Sequence, residues 1–169
     1  MESIRWVVMG VSGCGKSTVG QALASELDVP YIEGDLFHPD ANVAKMSAGM
    51  PLNDDDRAGW LLALQAQIRA ARQDDAGLVL SCSALKRRYR DLLRQGDPAL
   101  RFAHLAGAKE LISARMQARV NHYMPPSLLD SQFRDLEPLQ DDEAGVTLDI
   151  GIAPELLVAQ ILGEVQRQA

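Results

Sequence analysis

Ile4-Arg5-Trp6-Val7-Val8-Met9, followed by Gly10-Val11-Ser12-Gly13-Cys14-Gly15-Lys16-Ser17, is the stretch on which the fold turns. Its second part satisfies G-x-x-x-x-G-K-[ST], and the apolar run before it reads as a strand feeding directly into a loop. Backbone N–H groups wrap a polyphosphate only where no Cβ blocks close approach and positive φ costs little, which Gly10, Gly13 and Gly15 provide. A helix expected from about Lys16 aims its free N–H groups and the positive end of its dipole at the same point. Lys16 adds a mobile positive charge, the Ser17 hydroxyl suits Mg²⁺, and Val11, Ser12, Cys14 and Thr18 complete the cradle. The pattern implies a protein that handles a nucleoside triphosphate.

Beyond the loop, Val19, Ala22, Leu23 and Leu27 recur at helical spacing, and Val29-Pro30 leads into a short strand at Tyr31-Ile32. Trp60, Leu64, Ile68 and Ala71 mark a second helix, with Asn53 or Asp54 as its cap and Asp55 and Asp56 in its first turn. Leu78 to Cys82 is apolar without alternation, as expected of a strand covered on both faces. A basic helix from about Ala84 to Arg94, a strand at Arg101 to Leu105 and a helix from Lys109 to about Val120 continue the alternation. A strand from Val146 to Asp149 and a helix from Pro154 to about Arg167 close it. Strands and helices alternating in this way predict an α/β doubly wound sheet. Pro125, Pro126 and Pro138 interrupt the pattern, and the segment from about 120 to 142 reads as an inserted lid with a short helix that Ser127 and Asp130 cap.

At 169 residues, with 47% hydrophobic and 24% charged side chains, the chain reads as one soluble domain, residues 1–169. A formal net charge of −6 argues against nucleic-acid binding, so any anionic substrate must be attracted by a local cluster of cations. Cys14 and Cys82 make neither a disulfide framework nor a zinc site and suit reduced thiols in a cytoplasmic protein. Met1-Glu2-Ser3 lacks the basic start of a secretory signal, and no apolar stretch approaches membrane-spanning length. Exposed apolar positions on the helices leave room for a homodimer.

An Asn-Lys-x-Asp segment for reading guanine is missing from the sequence, which argues against a GTP switch. The third strand ends Leu80-Ser81-Cys82-Ser83, without the magnesium-holding Asp usual in motor and transport ATPases. Asp35, just past the second strand, is the acid at the carboxyl ends of the strands, where parallel sheets place ligands. A small-molecule kinase fits these features. Glu33-Gly34-Asp35-Leu36-Phe37-His38-Pro39, Asn42, Lys45-Met46, Gly49 and Pro51-Leu52-Asn53-Asp54-Asp55-Asp56-Arg57 resemble the corresponding signature of gluconokinases. So do Cys82 to Asp91, His122-Tyr123-Met124-Pro125, Leu128-Leu129, Ser131-Gln132-Phe133 and Leu136-Glu137. The departures are small: Phe is common where Tyr123 stands, and Ser where Cys14 stands.

The resemblance implies the P-loop nucleoside-monophosphate-kinase-like fold, with a central five-stranded parallel sheet, helices on both faces and a lid. It implies transfer of the γ-phosphoryl group of ATP, with Mg²⁺, to the 6-hydroxyl of D-gluconate. Lys16, Asp35 and Arg119 would carry the chemistry. Asp35 would take the proton of the attacking hydroxyl or hold magnesium with Ser17, and the two roles are compatible. Arg57 would grip the substrate carboxylate, the alternative being a solvated ion pair with Asp54 or Asp56. His38 would reach a gluconate hydroxyl or serve as a structural loop histidine. Lys86, and after it Arg90, would lie near the sugar acid. Arg115 and Arg119, four apart on one helix face, would stack on adenine or reach the transferred phosphoryl group, the alternative being an exposed helix surface. His122 and Gln132 would contact the acceptor on lid closure or pack the lid. Two other functions remain open: a shikimate-kinase-like transferase acting on another hydroxylated acid, and a catalytically silent ATP sensor.

Overall fold

The computed structural model describes residues 3–118 and 127–168. Its elements run β1 (Arg5–Met9), α1 (Lys16–Leu27), β2 (Tyr31–Glu33), a 3₁₀ turn (Gly34–Phe37), α2 (Asp40–Ser47), α3 (Asp54–Gln73), β3 (Leu78–Ser81), α4 (Arg87–Arg94), β4 (Arg101–Ala106), α5 (Lys109–Ala118), α6 (Ser127–Asp135), β5 (Gly145–Asp149) and α7 (Pro154–Gln168). The strands form one sheet in the order β2-β3-β1-β4-β5, and every pair is parallel.

Why β1 is apolar throughout follows from its central position. Side chains alternate faces along a strand. Trp6 and Val8 join a core with Val19 and Leu23 of α1, Ile112 of α5 and Ile161 of α7. Val7 and Met9 join the opposite core, with Trp60, Leu64 and Ile68 of α3 and Tyr89 and Leu93 of α4. Both faces are therefore sealed by helices. The same geometry puts the carboxyl ends of β1, β2 and β3 side by side, where the phosphate loop, the Asp35 turn and the start of the α4 segment emerge.

Local chemistry sets the boundaries that matter for the site. Asn53 caps α3 in a reciprocal box, its side chain accepting from the Asp56 N–H (2.8 Å) while the Asp56 carboxylate accepts from the Asn53 N–H (2.9 Å). Trp60, 1% exposed, donates from Nε1 to the Gly34 carbonyl (2.8 Å) and so ties α3 to the 3₁₀ turn. A Cβ on Gly34 would stand 2.2 Å from the Ser81 carbonyl oxygen, so only glycine lets the turn cross the end of β3 this closely.

Three elements differ from the sequence expectation. Helix α2 was not expected, because it buries only Asn42 and Met46 and shows almost no apolar period. The basic helix begins at Arg87 rather than Ala84: Ala84 adopts φ 45° and Lys86 is extended at the N-cap. Ser127, expected as a cap, already lies within α6. Of the segment from about 120 to 142, residues 127–142 are described and comprise α6 and the loop after it.

Candidate active site

Gly10 (φ 148°), Gly13 (φ 81°) and Gly15 (φ 99°) give the loop between β1 and α1 its curvature. A Cβ on Gly13 would stand 2.6 Å from Met116 Cγ, whereas one on Gly15 would meet nothing within 4 Å. Gly13 is thus required by packing as well as by φ, and Gly15 borders the open side of the cradle. Helix α1 starts with neither a side-chain cap nor an acidic residue in its first turn. Its amino-terminal N–H groups are left for an anion. Lys16 Nζ donates to the Val11 carbonyl (3.0 Å), which keeps the ammonium folded over the loop.

Two clefts flank the cradle. The inner one is lined by Ser12, Lys16, Asp35, His38, Arg57 and Gln132, among others. His38 stacks on Trp60 with ring centroids 4.1 Å apart. Burial, opposed by the Asp35 carboxylate and assisted by Arg57, brings its imidazole down to about 4, so it is neutral near pH 7. Arg57 is 6% exposed and uses Nη1 to donate to the Tyr89 hydroxyl (3.0 Å) and to Asp135 Oδ2 (3.0 Å) on α6. Gln132, one turn earlier on α6, accepts from the Ser12 N–H (2.7 Å). Helix α6 therefore offers an oxygen to a donor of the phosphate loop and a carboxylate to the cleft's guanidinium. The second cleft, about 320 Å³, lies on the other side of the loop against Gly13, Gly15, Thr18, Arg115, Ile152, Pro154 and Leu157. Arg115 is held at its edge by donating to the Ile150 carbonyl (2.8 Å). An apolar slot beside a phosphate loop suits a nucleobase.

Comparison with known proteins gives this arrangement its family. The family model for shikimate kinases matches residues 12–162. The chain is 40% identical to the thermoresistant gluconokinase of Escherichia coli (strain K12), over 96% of this chain and 93% of that one. It is 43% identical to the gluconokinase of Gluconobacter oxydans, over 96% and 91% of the two chains. The chain belongs to the gluconokinase family. The crystal structure of a gluconokinase from Sinorhizobium meliloti superposes with a TM-score of 0.90 at 42% identity, covering 99% of this chain and 94% of that one.

Within this gluconokinase-family site, Lys16, Asp35, His38, Arg57 and Gln132 meet at the inner cleft, while Thr18 and Arg115 border the second. Arg119 and His122 lie outside the described residues. Lys86 is not brought to the inner cleft. It donates to Asp54 Oδ1 (3.0 Å) and lines an adjoining outer cleft with Arg134 and Asp135.

Arg90 requires a correction. It is fully buried and spends its donors on Glu143 Oε1 (2.7 Å) and Oε2 (2.9 Å) and on the Ala84 carbonyl (2.9 Å). A guanidinium engaged on every side cannot also hold a substrate, so Arg90 is a structural clamp between α4 and the segment before β5. The basic run around it hid this, because periodicity does not say which arginine turns inward.

Glu33 was missed altogether. Its carboxylate accepts a short hydrogen bond from Ser17 Oγ and another from the Tyr31 hydroxyl (2.7 Å). Burial pushes the Tyr31 hydroxyl up to about 12, so it stays a donor. The available signal was the pairing of Glu33 with Asp35 across one glycine: the first carboxylate ends β2 beside the loop serine, and the second turns into the cleft.

Proposed function

We propose that the protein transfers the γ-phosphoryl group of ATP to the 6-hydroxyl of D-gluconate, giving 6-phospho-D-gluconate and ADP. The observation that carries this reading is the meeting of Lys16, Asp35 and Arg57 in a cleft that opens onto the phosphate cradle. The names and identities of its relatives support the same substrate. The Cys82 to Lys86 segment, which lacks the glycine-rich stretch of shikimate kinases, favours gluconate over shikimate.

The loop and Lys16 hold the triphosphate, and Arg57 grips the gluconate carboxylate with two parallel hydrogen bonds. Asp35 takes the proton of the attacking hydroxyl as the new O–P bond forms and the bond to the β-phosphate breaks, its electrons remaining on ADP. Arg119 serves the transferred phosphoryl oxygens, and His122 and Gln132 close over the acceptor with the lid, residues 120–142 of the one domain. Catalysis here is mainly positioning and charge stabilisation. The hard oxygen donors Ser17, Glu33 and Asp35 fit Mg²⁺, which supplies charge neutralisation on the phosphates. Among the described residues no cluster of three or more His, Cys, Asp or Glu side chains could hold a metal unaided, so Ser17, Glu33 and Asp35 would hold the ion only together with the nucleotide. A cytoplasmic location agrees with Cys14 and Cys82, two buried cysteines that form no disulfide.

The direct test is ADP release with a panel of sugar acids: gluconate should be turned over and shikimate left untouched, and the reverse order would refute the assignment. Arg57→Lys keeps the charge but loses the bidentate fork. It is expected to raise the gluconate KM about 30-fold with the ATP KM unmoved. Asp135→Asn should act the other way. Removing the internal carboxylate frees Arg57, and the gluconate KM is expected to fall about fivefold; a rise would mean that Asp135 orients Arg57 instead.

A further inference from the structure

Asn42, Lys45, Asn53 and Asp56 belong to the sequence signature but touch neither phosphate nor cleft chemistry directly. Asp56 is fixed at the start of α3 by the capping box and by Lys45, whose Nζ donates to its carboxylate at 2.5 Å. The Asp56 backbone carbonyl accepts from Asn42 Nδ2 at 2.8 Å. A carbonyl has no proton to give, so the Asn42 atom facing it is the amide nitrogen. The same nitrogen lies 3.2 Å from His38 Nδ1. Its second hydrogen points to a ring nitrogen that must accept, and a neutral imidazole that accepts at Nδ1 carries its proton on Nε2. Asn42 is 4% exposed, so water does not readily replace it, and the Trp60 stack fixes the plane of the ring. Nε2 has no partner among the described residues, and the only side-chain polar atom found sealed and unbonded among them is His104 Nδ1. His38 Nε2 is thus open to the inner cleft that His38 lines.

We propose that Asn42 is a positioning residue that fixes the His38 tautomer, making Nε2–H a hydrogen-bond donor to a hydroxyl oxygen of the acceptor. The inference rests on the gluconate reading for the identity of that hydroxyl, but not for the tautomer itself. It has a mechanistic consequence. With Nδ1 occupied and Nε2 protonated, His38 holds no free lone pair and cannot take the proton of the attacking hydroxyl. Proton acceptance then falls to Asp35 in the same cleft.

Long-range ¹H–¹⁵N correlation spectra of the full-length wild-type protein without substrate read the tautomer directly. Nδ1 should appear in the unprotonated range and Nε2 in the protonated range. Asn42→Asp places an acceptor against Nδ1. Where the ring stays neutral its proton should move from Nε2 to Nδ1, and the gluconate KM should then rise about tenfold with the ATP KM unchanged. A doubly protonated ring keeps Nε2–H and should leave the KM near that of the wild type. A protonated Nδ1 in the wild type would overturn the proposal, whether or not the variant folds. So would a variant whose proton has moved from Nε2 to Nδ1 while its gluconate KM stays put. A wild-type protein inert toward gluconate but showing the expected spectrum would overturn the substrate assignment alone.

Discussion

Asp35→Asn is expected to fold, bind ATP normally and turn over about 10³-fold more slowly than the wild type, the range set by removing a positioned proton acceptor. Asparagine keeps the size of the side chain and its hydrogen-bonding reach, so the 3₁₀ turn and its contact with α3 should survive. What it loses is the negative charge and the ability to take a proton. The neighbouring groups do not replace it. Lys16 is a cation, and His38 is neutral with its Nδ1 facing the Asn42 amide nitrogen. The kcat from ADP release, with ATP affinity measured by calorimetry on the same preparation, checks the prediction. A folded, ATP-binding variant with near-normal turnover would remove Asp35 from the chemistry.

Glu143→Gln is expected to cost about 3–5 kcal/mol of stability, because it leaves the Arg90 guanidinium buried without its counter-charge. Both side chains of that pair are 0% exposed, and Arg94 donates to the same carboxylate (2.7 Å). For a chain of this length the loss corresponds to a fall in Tm of roughly 10 °C. At a temperature where the variant is still folded, the gluconate KM should match the wild type, since the clamp lies away from the cleft. A raised KM would return Arg90 to the substrate. The same carboxylate sets an acid limit. Burial alone would raise its pKa, but hydrogen bonds from Arg90, the Gln140 N–H and Arg94 outweigh that and hold it at about 2, below the ordinary 4.5. A depressed folded-state pKa contributes stability above the unfolded value and loses it as pH falls toward the folded one. Wild-type stability should therefore drop between about pH 4.5 and pH 2, and more steeply than in Glu143→Gln.

The layout of the sheet was readable because its signals are periodic. The unbroken apolar runs of β1 and β3 require cover on both faces, and the phosphate loop fixes where β1 ends and α1 begins. Helix α2 was invisible for the opposite reason: its inner face carries a polar residue, Asn42, whose purpose is to hold His38 rather than to fill a core. Lys16 could be nominated from the phosphate-loop motif and Asp35 from its place past the second strand at the carboxyl edge of the sheet, whereas Arg57 was nominated through the resemblance to related kinases. Lys86 and Arg90 were harder. Both sit in a run of cations, and which one faces the cleft, a carboxylate or the core depends on Asp54 and Glu143, 32 and 53 residues away in sequence. The second cleft was likewise out of reach, since Ile152, Pro154 and Leu157 reveal themselves only once β5 and α7 are folded against the loop.

Central to all of this is a single cleft that brings the terminal phosphate of ATP against a primary hydroxyl of a polyol acid. ³¹P NMR of the purified protein with ATP, Mg²⁺ and D-gluconate tests it most directly. A new phosphomonoester resonance split by the C6 methylene protons, rising in step with ADP, is the predicted result. Appearance of inorganic phosphate alone, or of an ester on a secondary hydroxyl, would contradict it.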